Sequence, residues 1–212
     1  MSYIEIDHYT KIIKNRTVLD DINLNFEEGK VYAIVGTNGS GKTMLLRAIA
    51  GLIRPTKGIV TVDGKRVGID CSAPESMGLI IENIALWNHL TGIECLKLLA
   101  SIKKTATVED LCLAMSRLGL DPNDQRKYKQ YSMGMKQKLS IAQAIMEKPR
   151  LLLLDEPTNS LDEGSVKLFT NIIKEEQGRG CTVLFTSHHR EETEALADEI
   201  LTIREGRCLK NA

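Results

Sequence analysis

Gly36-Thr37-Asn38-Gly39-Ser40-Gly41-Lys42-Thr43 is the stretch on which the fold turns. It fits the pattern G-x-x-x-x-G-K-[ST], with the apolar run Val31–Val35 before it and a helical run over residues 44–50 after it. A strand, a glycine-rich loop and a helix in that order form a cradle for a polyphosphate. The glycines let the backbone curl so that successive N–H groups converge on one anion. The helix N-terminus adds about half a positive charge at the same point. Gly36, Thr37, Asn38, Gly39, Ser40, Gly41, Lys42 and Thr43 are all candidate nucleotide contacts, with Lys42 neutralising the outer phosphates and the Thr43 hydroxyl suited to Mg²⁺. A loop that merely turns the chain is the plain alternative; four fixed positions and both flanks speak against it.

Working outward, the second informative stretch is Leu151-Leu152-Leu153-Leu154-Asp155-Glu156-Pro157. Four leucines suit a buried strand, and two carboxylates emerge at its C-terminal end, where open α/β sheets hold their ligands. Asp155 suits the Mg²⁺ shell, and Glu156 suits the acceptance of a proton from an attacking water. Alone, such a pair marks only a strand end. Beside a phosphate loop it becomes the matching half of an NTPase site. No Asn-Lys-x-Asp guanine-reading motif is present.

The flanks give the architecture. Residues 3–8 and 22–26 alternate with period two, and residues 59–64 run into an Asp-Gly turn, so the first third predicts strands. Between about Glu82 and Pro149 the signal turns helical, with Val108, Leu111, Cys112, Met115 and Leu118 at three- and four-residue steps and Gly119 as a stop. After Pro149 the order is strand, helix, strand, helix, strand, with strands at Leu151–Leu154, Thr182–Thr186 and residues 199–203. That alternation predicts a parallel sheet with crossover helices.

Composition narrows the partners. The chain has 212 residues, 42% hydrophobic and 26% charged, which excludes a disordered or disulfide-stapled class. Lys+Arg and Asp+Glu are both 28, so no net positive charge asks for nucleic acid. No apolar run approaches the roughly 18 residues of a membrane span, and the first residues lack the basic start and apolar core of a signal peptide. Five cysteines (Cys71, Cys95, Cys112, Cys181, Cys208) without a Cys-x-x-Cys pair suggest reduced thiols and a cytoplasmic setting. No histidine pairs with a cysteine at zinc-site spacing.

Three further motifs decide the kind of NTPase. Tyr131-Ser132-Met133-Gly134-Met135-Lys136-Gln137-Lys138-Leu139-Ser140 opens a helix with Leu139, Ala142, Ile145 and Met146 on its apolar side. Asn159-Ser160-Leu161-Asp162 and Thr186-Ser187-His188 follow in order. Together these resemble the signature segment, D-loop and switch histidine of ABC-family ATPases, and the resemblance runs over essentially the whole chain. It implies an α/β fold: a P-loop NTPase core with a mostly parallel sheet, an N-terminal antiparallel β subdomain and an inserted helical subdomain. On that reading residues 1–212 are one nucleotide-binding domain, with 1–81 and 150–212 forming the RecA-like core plus β subdomain and about 83–149 the helical part.

The resemblance further implies ATP as substrate, Mg²⁺ as cofactor and a second nucleotide-binding domain facing the first head to tail. Lys42, Glu156 and His188 would then be catalytic. Ser132 and Gly134 would meet the γ-phosphate held by the other subunit, and Asp162 would communicate across the interface. The implied partner is a separately encoded membrane permease, with the ATPase peripheral on its cytoplasmic face and bacteriocin, lantibiotic or bacitracin exporters as the nearest type. The alternative is a soluble ABC ATPase such as one for iron–sulfur cluster assembly.

Some positions depart from the family pattern. Met133 and Met135 replace a Gly and a Gln, and Met133 is expected to pack. The coupling glutamine of the Q-loop is replaced by Glu82, which cannot donate as an amide does but could join the Mg²⁺ ligands, unless Asn83 takes the place one residue on. Tyr9 is the candidate aromatic for stacking the base, with Ile12 or Ile13 as apolar substitutes. Trp87 is either core or an exposed anchor for the permease. His189 matches no motif position and is assigned to solvent.

Overall fold

The computed structural model describes residues 2–81, 85–188 and 190–209. Strands β1 (Ser2–Ile13) and β2 (Arg16–Glu27) form a long antiparallel hairpin. Its turn, Lys14-Asn15, has φ of 46° and 63°, the positive pair that a two-residue hairpin with right-handed strand twist requires. Both strands outrun the alternation seen in the sequence because bulges break the period: the register shifts between Ile6 and Tyr9 and again near Lys11, and His8 and Asp21 have positive φ. β4 (Lys57–Val62) pairs with β1, and β5 (Lys65–Arg66) turns back on β4, giving an antiparallel sheet of order β2-β1-β4-β5.

The second sheet has the order β10-β9-β3-β8-β7-β6. Its members are β3 (Val31–Val35), β6 (Met77–Ile80), β7 (Leu151–Leu154), β8 (Thr182–Thr186), β9 (Glu199–Arg204) and β10 (Arg207–Leu209). All neighbours are parallel except β10, an antiparallel edge strand. Both faces are covered, as parallel sheets require. Val31, Ala33, Leu152, Leu154, Val183 and Phe185 join one apolar core, while Tyr32, Ile34, Leu151, Leu153 and Leu184 join the other. The four leucines of β7 are wholly buried, and each such burial contributes about 1.5–3 kcal/mol. That seats the strand whose end carries Asp155 and Glu156.

Helix α1 (Lys42–Ile49) follows β3 and packs into the core shared with the antiparallel sheet. Between β6 and β7 come α2 (Gly92–Lys103), α3 (Val108–Arg117) and α4 (Met133–Ile145). Among the described residues the first helix of this stretch begins at Gly92, and residues 85–90 are turn and coil. The reason is local: Thr91 is the N-cap, and its capping box with Glu94 fixes where helix starts. α3 has the same box at Thr107 and Asp110, and it ends at a left-handed Gly119 with Leu120 N–H donating to Met115 O.

Helices α5 (Glu163–Gly178) and α6 (Arg190–Leu196) make the remaining crossovers. An ion cluster around the buried Glu176 ties α3 to α5. Arg117 donates to Glu175 and Glu176 at 2.7 and 2.8 Å, Arg179 also pairs with Glu176, and Glu176 is 1% exposed. Among the described residues no helix is long and apolar enough to cross a membrane.

Candidate active site

Three chain segments converge where the parallel strands end. From the end of β3 the glycine loop climbs into α1. A methyl group at Gly36 (φ 154°) would lie 2.2 Å from Ile203 O and 2.7 Å from Ser40 Oγ, so the chain could not pass there with a side chain. Gly41 (φ 116°) is the N-cap of α1 and supplies no side-chain cap, which leaves the first N–H groups of that helix to an external acceptor. Lys42 is 6% exposed, and its ammonium donates to Gly36 O at 2.9 Å and Thr37 O at 3.4 Å. Ser40 Oγ is buried and has no hydrogen-bond partner among the described residues.

From β7 come the acids. Thr43 Oγ1 donates to Asp155 Oδ2 at 2.7 Å, and Thr186 Oγ1 donates to Asp155 Oδ1 at 2.7 Å. Glu156 has a left-handed backbone (φ 48°), and its N–H donates to Thr186 Oγ1 at 2.8 Å. From the end of β8, His188 Nε2 lies 2.7 Å from Glu156 Oε1, and Lys42 Nζ lies 3.9 Å from the same oxygen. Lysine, threonine, two carboxylates and histidine are thus one connected network, assembled within a single chain from residues up to about 150 positions apart.

Above this network opens a cavity of about 880 Å³, lined by residues 37–44, Glu156, Asn159 and His188. Its far end is formed by Arg16, Thr17 and Val18 of β2 and by the Glu205-Gly206 turn. Apart from Val18, which opens a segment resembling the family, these carried no signal in the sequence, because their part in the site comes from two hairpins lying beside the loop: Gly206 N–H donates to Ser40 O, and Asp20 N–H to Gly206 O, both at 2.8 Å. No aromatic residue is among the described residues that line the cavity. Tyr9 is not a base platform. It is 1% exposed in the core, its hydroxyl donates to Ile53 O at 3.3 Å, and burial pushes its pKa up to about 12. Ile12 and Ile13 are exposed and lie outside the lining.

The other predicted residues lie apart from the cavity. Ser132 is exposed and caps α4, its Oγ accepting from Met135 N–H at 3.2 Å. Gly134 sits in the first turn of that helix against Ser160 O. Met133 does not pack, being 66% exposed: the first turn of α4 projects from the core, and only the turns beyond Leu139 are buried. Asp162 caps α5, accepting from Ser165 N–H and Ser165 Oγ at 2.7 Å each, and these donors hold its carboxyl below the usual aspartate value. Trp87 is 38% exposed, between the two expectations for it. Glu82, Asn83 and His189 lie outside the described residues.

A model of the ABC transporter family matches residues 19–159, which span the glycine loop, the Ser132 helix start and the acidic pair. The chain belongs to the ABC transporter family. Among its relatives, the uncharacterized ABC transporter ATP-binding protein YybJ of Bacillus subtilis (strain 168) is 48% identical over 204 residues, 96% of this chain and 94% of that protein. The lantibiotic transport ATP-binding protein SrtF of Streptococcus pyogenes is 35% identical over 208 residues, 97% of this chain and 89% of that protein. Among solved structures, the dimeric structure of MJ0796, a bacterial ABC transporter cassette, superposes with a TM-score of 0.87 over 98% of this chain and 97% of that one at 23% identity, a likeness of fold. Within the ABC transporter family this chain is the ATP-binding and ATP-hydrolysing subunit. Asp162 and His188 fall beyond the matched span and rest on position and geometry.

Proposed function

We propose that two nucleotide-binding domains, this chain and a second, clamp Mg-ATP between them and drive a separately encoded membrane permease. The observation that carries this reading is the single network of Lys42, Thr43, Asp155, Glu156 and His188 beneath one cavity, while the exposed Ser132 helix start is not part of its lining. The N–H groups of residues 37–43 and the Lys42 ammonium hold the β- and γ-phosphates. Glu156 takes the proton of the attacking water, and His188 orients that carboxylate. Ser132 and Gly134 offer a helix N-terminus to the γ-phosphate held by the partner, and Asp162 lies at the junction of the two chains. The residue range 1–212 serves as one domain, with about 83–149 its helical part; Glu82 stands at the position that couples it to the permease.

Thr43 and Asp155 fit Mg²⁺, which keeps most of its waters and takes only one or two protein oxygens. When bound it would supply positive charge against the outer phosphates. ATP drives closure because the γ-phosphate gains the Ser132 helix start only in the closed pair, and a ligand shifts a conformational equilibrium only by such a difference in binding.

The lantibiotic-transport relative supports an exporter, and the neutral overall charge supports no nucleic-acid partner. The subunit is placed on the cytoplasmic face of the membrane through the permease. A Glu156→Gln chain tests the clamp. With Mg-ATP it is expected to elute as a dimer on size exclusion and with ADP as a monomer; a monomer in both would overturn the two-chain site.

A further inference from the structure

We propose that Thr186 is a positioning residue that holds Asp155 and Glu156 in register through one hydroxyl. The proposal rests on the roles of those two carboxylates given above. Thr186 ends β8 and is wholly buried. A hydroxyl has one proton to give and lone pairs to receive. Asp155 Oδ1, 2.7 Å away, is a carboxylate oxygen and takes that proton. The Glu156 N–H, 2.8 Å away, can only donate, so it fills the lone pair. Both directions are fixed by chemistry, leaving the hydroxyl no freedom to rotate.

The consequences for the two acids differ. Asp155 is gripped by a threonine on each oxygen, Thr43 from α1 and Thr186 from β8, so its carboxylate plane is set by two separate elements. Glu156 has a left-handed backbone (φ 48°) that a residue with a β-carbon adopts only at a cost. The bond from its N–H to Thr186 is what fastens that conformation. His188 lies two residues after Thr186, in the bend that follows β8. Thr186 holds the backbone of Glu156 while His188 meets its carboxylate at 2.7 Å. One strand end therefore sets both the origin and the tip of the proton-accepting side chain.

The test compares Thr186→Val, Thr186→Ser, Glu156→Gln and the unaltered chain in steady-state ATP hydrolysis, with binding of a fluorescent ATP analogue measured alongside. Valine matches threonine in shape and suits a strand, so it removes the hydroxyl alone. Thr186→Val is expected to lower kcat by roughly ten- to a hundredfold, the scale set by small misplacements of reacting groups. KM and analogue affinity stay near the unaltered values because the phosphate loop is untouched. Thr186→Ser restores most of the loss, a rescue that a merely space-filling role would not give. Should the valine chain not fold, Thr186→Cys, with its weak donor, carries the same comparison. Full turnover in Thr186→Val beside a dead Glu156→Gln overturns the proposal and leaves the carboxylate assignment standing. A serine variant as slow as the valine one also overturns it. An active Glu156→Gln chain overturns the assignment beneath it.

Discussion

The glycine-loop half of the site and the Ser132 half are built differently. Lys42, Thr43, Asp155, Thr186, Glu156 and His188 are tied to one another across the ends of β7 and β8 and the start of α1, at separations from 2.7 to 3.9 Å. At the start of α4, Ser132 makes only its own cap, Met133 is open to solvent, and none of residues 132–135 lines the cavity. The first half is pre-organised by burial between parallel strands, which is how electrostatic stabilisation avoids reorganisation during reaction. The second is a helix N-terminus carried on the surface. Under the two-chain clamp proposed above, one half of the site is finished within the chain and the other is presented to the partner.

The strongest way to break that comparison is to damage the halves in separate chains. Lys42→Ala alone and Ser132→Arg alone are each expected to lower hydrolysis by on the order of 10²–10³-fold, the scale for losing one charge-stabilising group. Mixing the two variants restores turnover, since one of the two pockets in the mixed pair combines an intact loop with an intact helix start. A mixture no more active than its parts would mean that both halves serve the same chain.

A smaller effect sharpens how the surface half is anchored. Glu176→Ala leaves Arg117 and Arg179 without their shared buried carboxylate, and a loss on the order of 3 kcal/mol in urea unfolding is expected. Analogue binding at the glycine loop stays unchanged, because α3 and α5 support the helical segment and not the loop. Equal losses in both measurements would show that the halves are not separately held.

The smallest effect concerns Asp162. Its carboxyl is held below the ordinary value of 3.8 by Ser165, so the folded state favours the charged form. That contribution is complete above 3.8 and disappears as pH falls through the lowered folded value. Asp162→Asn is therefore expected to be less stable than the unaltered chain near neutrality, with the gap closing in strong acid. A gap that does not vary with pH would mean that the cap bonds do not depend on charge.

Much of this was legible beforehand because it is local. The glycine loop, the leucine run before Asp155 and the Gly119 stop each express a conformational rule over a few residues, and β3, β7, β8 and the end of α3 lie where those rules place them. The first turn of α2 was not legible, because Thr91 and Glu94 fix it through a capping box that the hydrophobic period does not register. Tyr9 stayed open in the sequence because a tyrosine beside a strand reads alike whether it faces the nucleotide or packs, and the structure puts it in the core.

The sequence by itself determined the phosphate cradle, the paired acids and the family, since each is written in contiguous residues whose chemistry depends on short spacing. Tertiary structure alone decided that Thr186 joins the acids, that Arg16 and Glu205 close the far end of the cavity, and that Ser132 stands outside it. Those relations depend on which strands lie side by side and on where two hairpins come to rest. Strand order is a property of the whole packed sheet, and no local pattern of side chains encodes it.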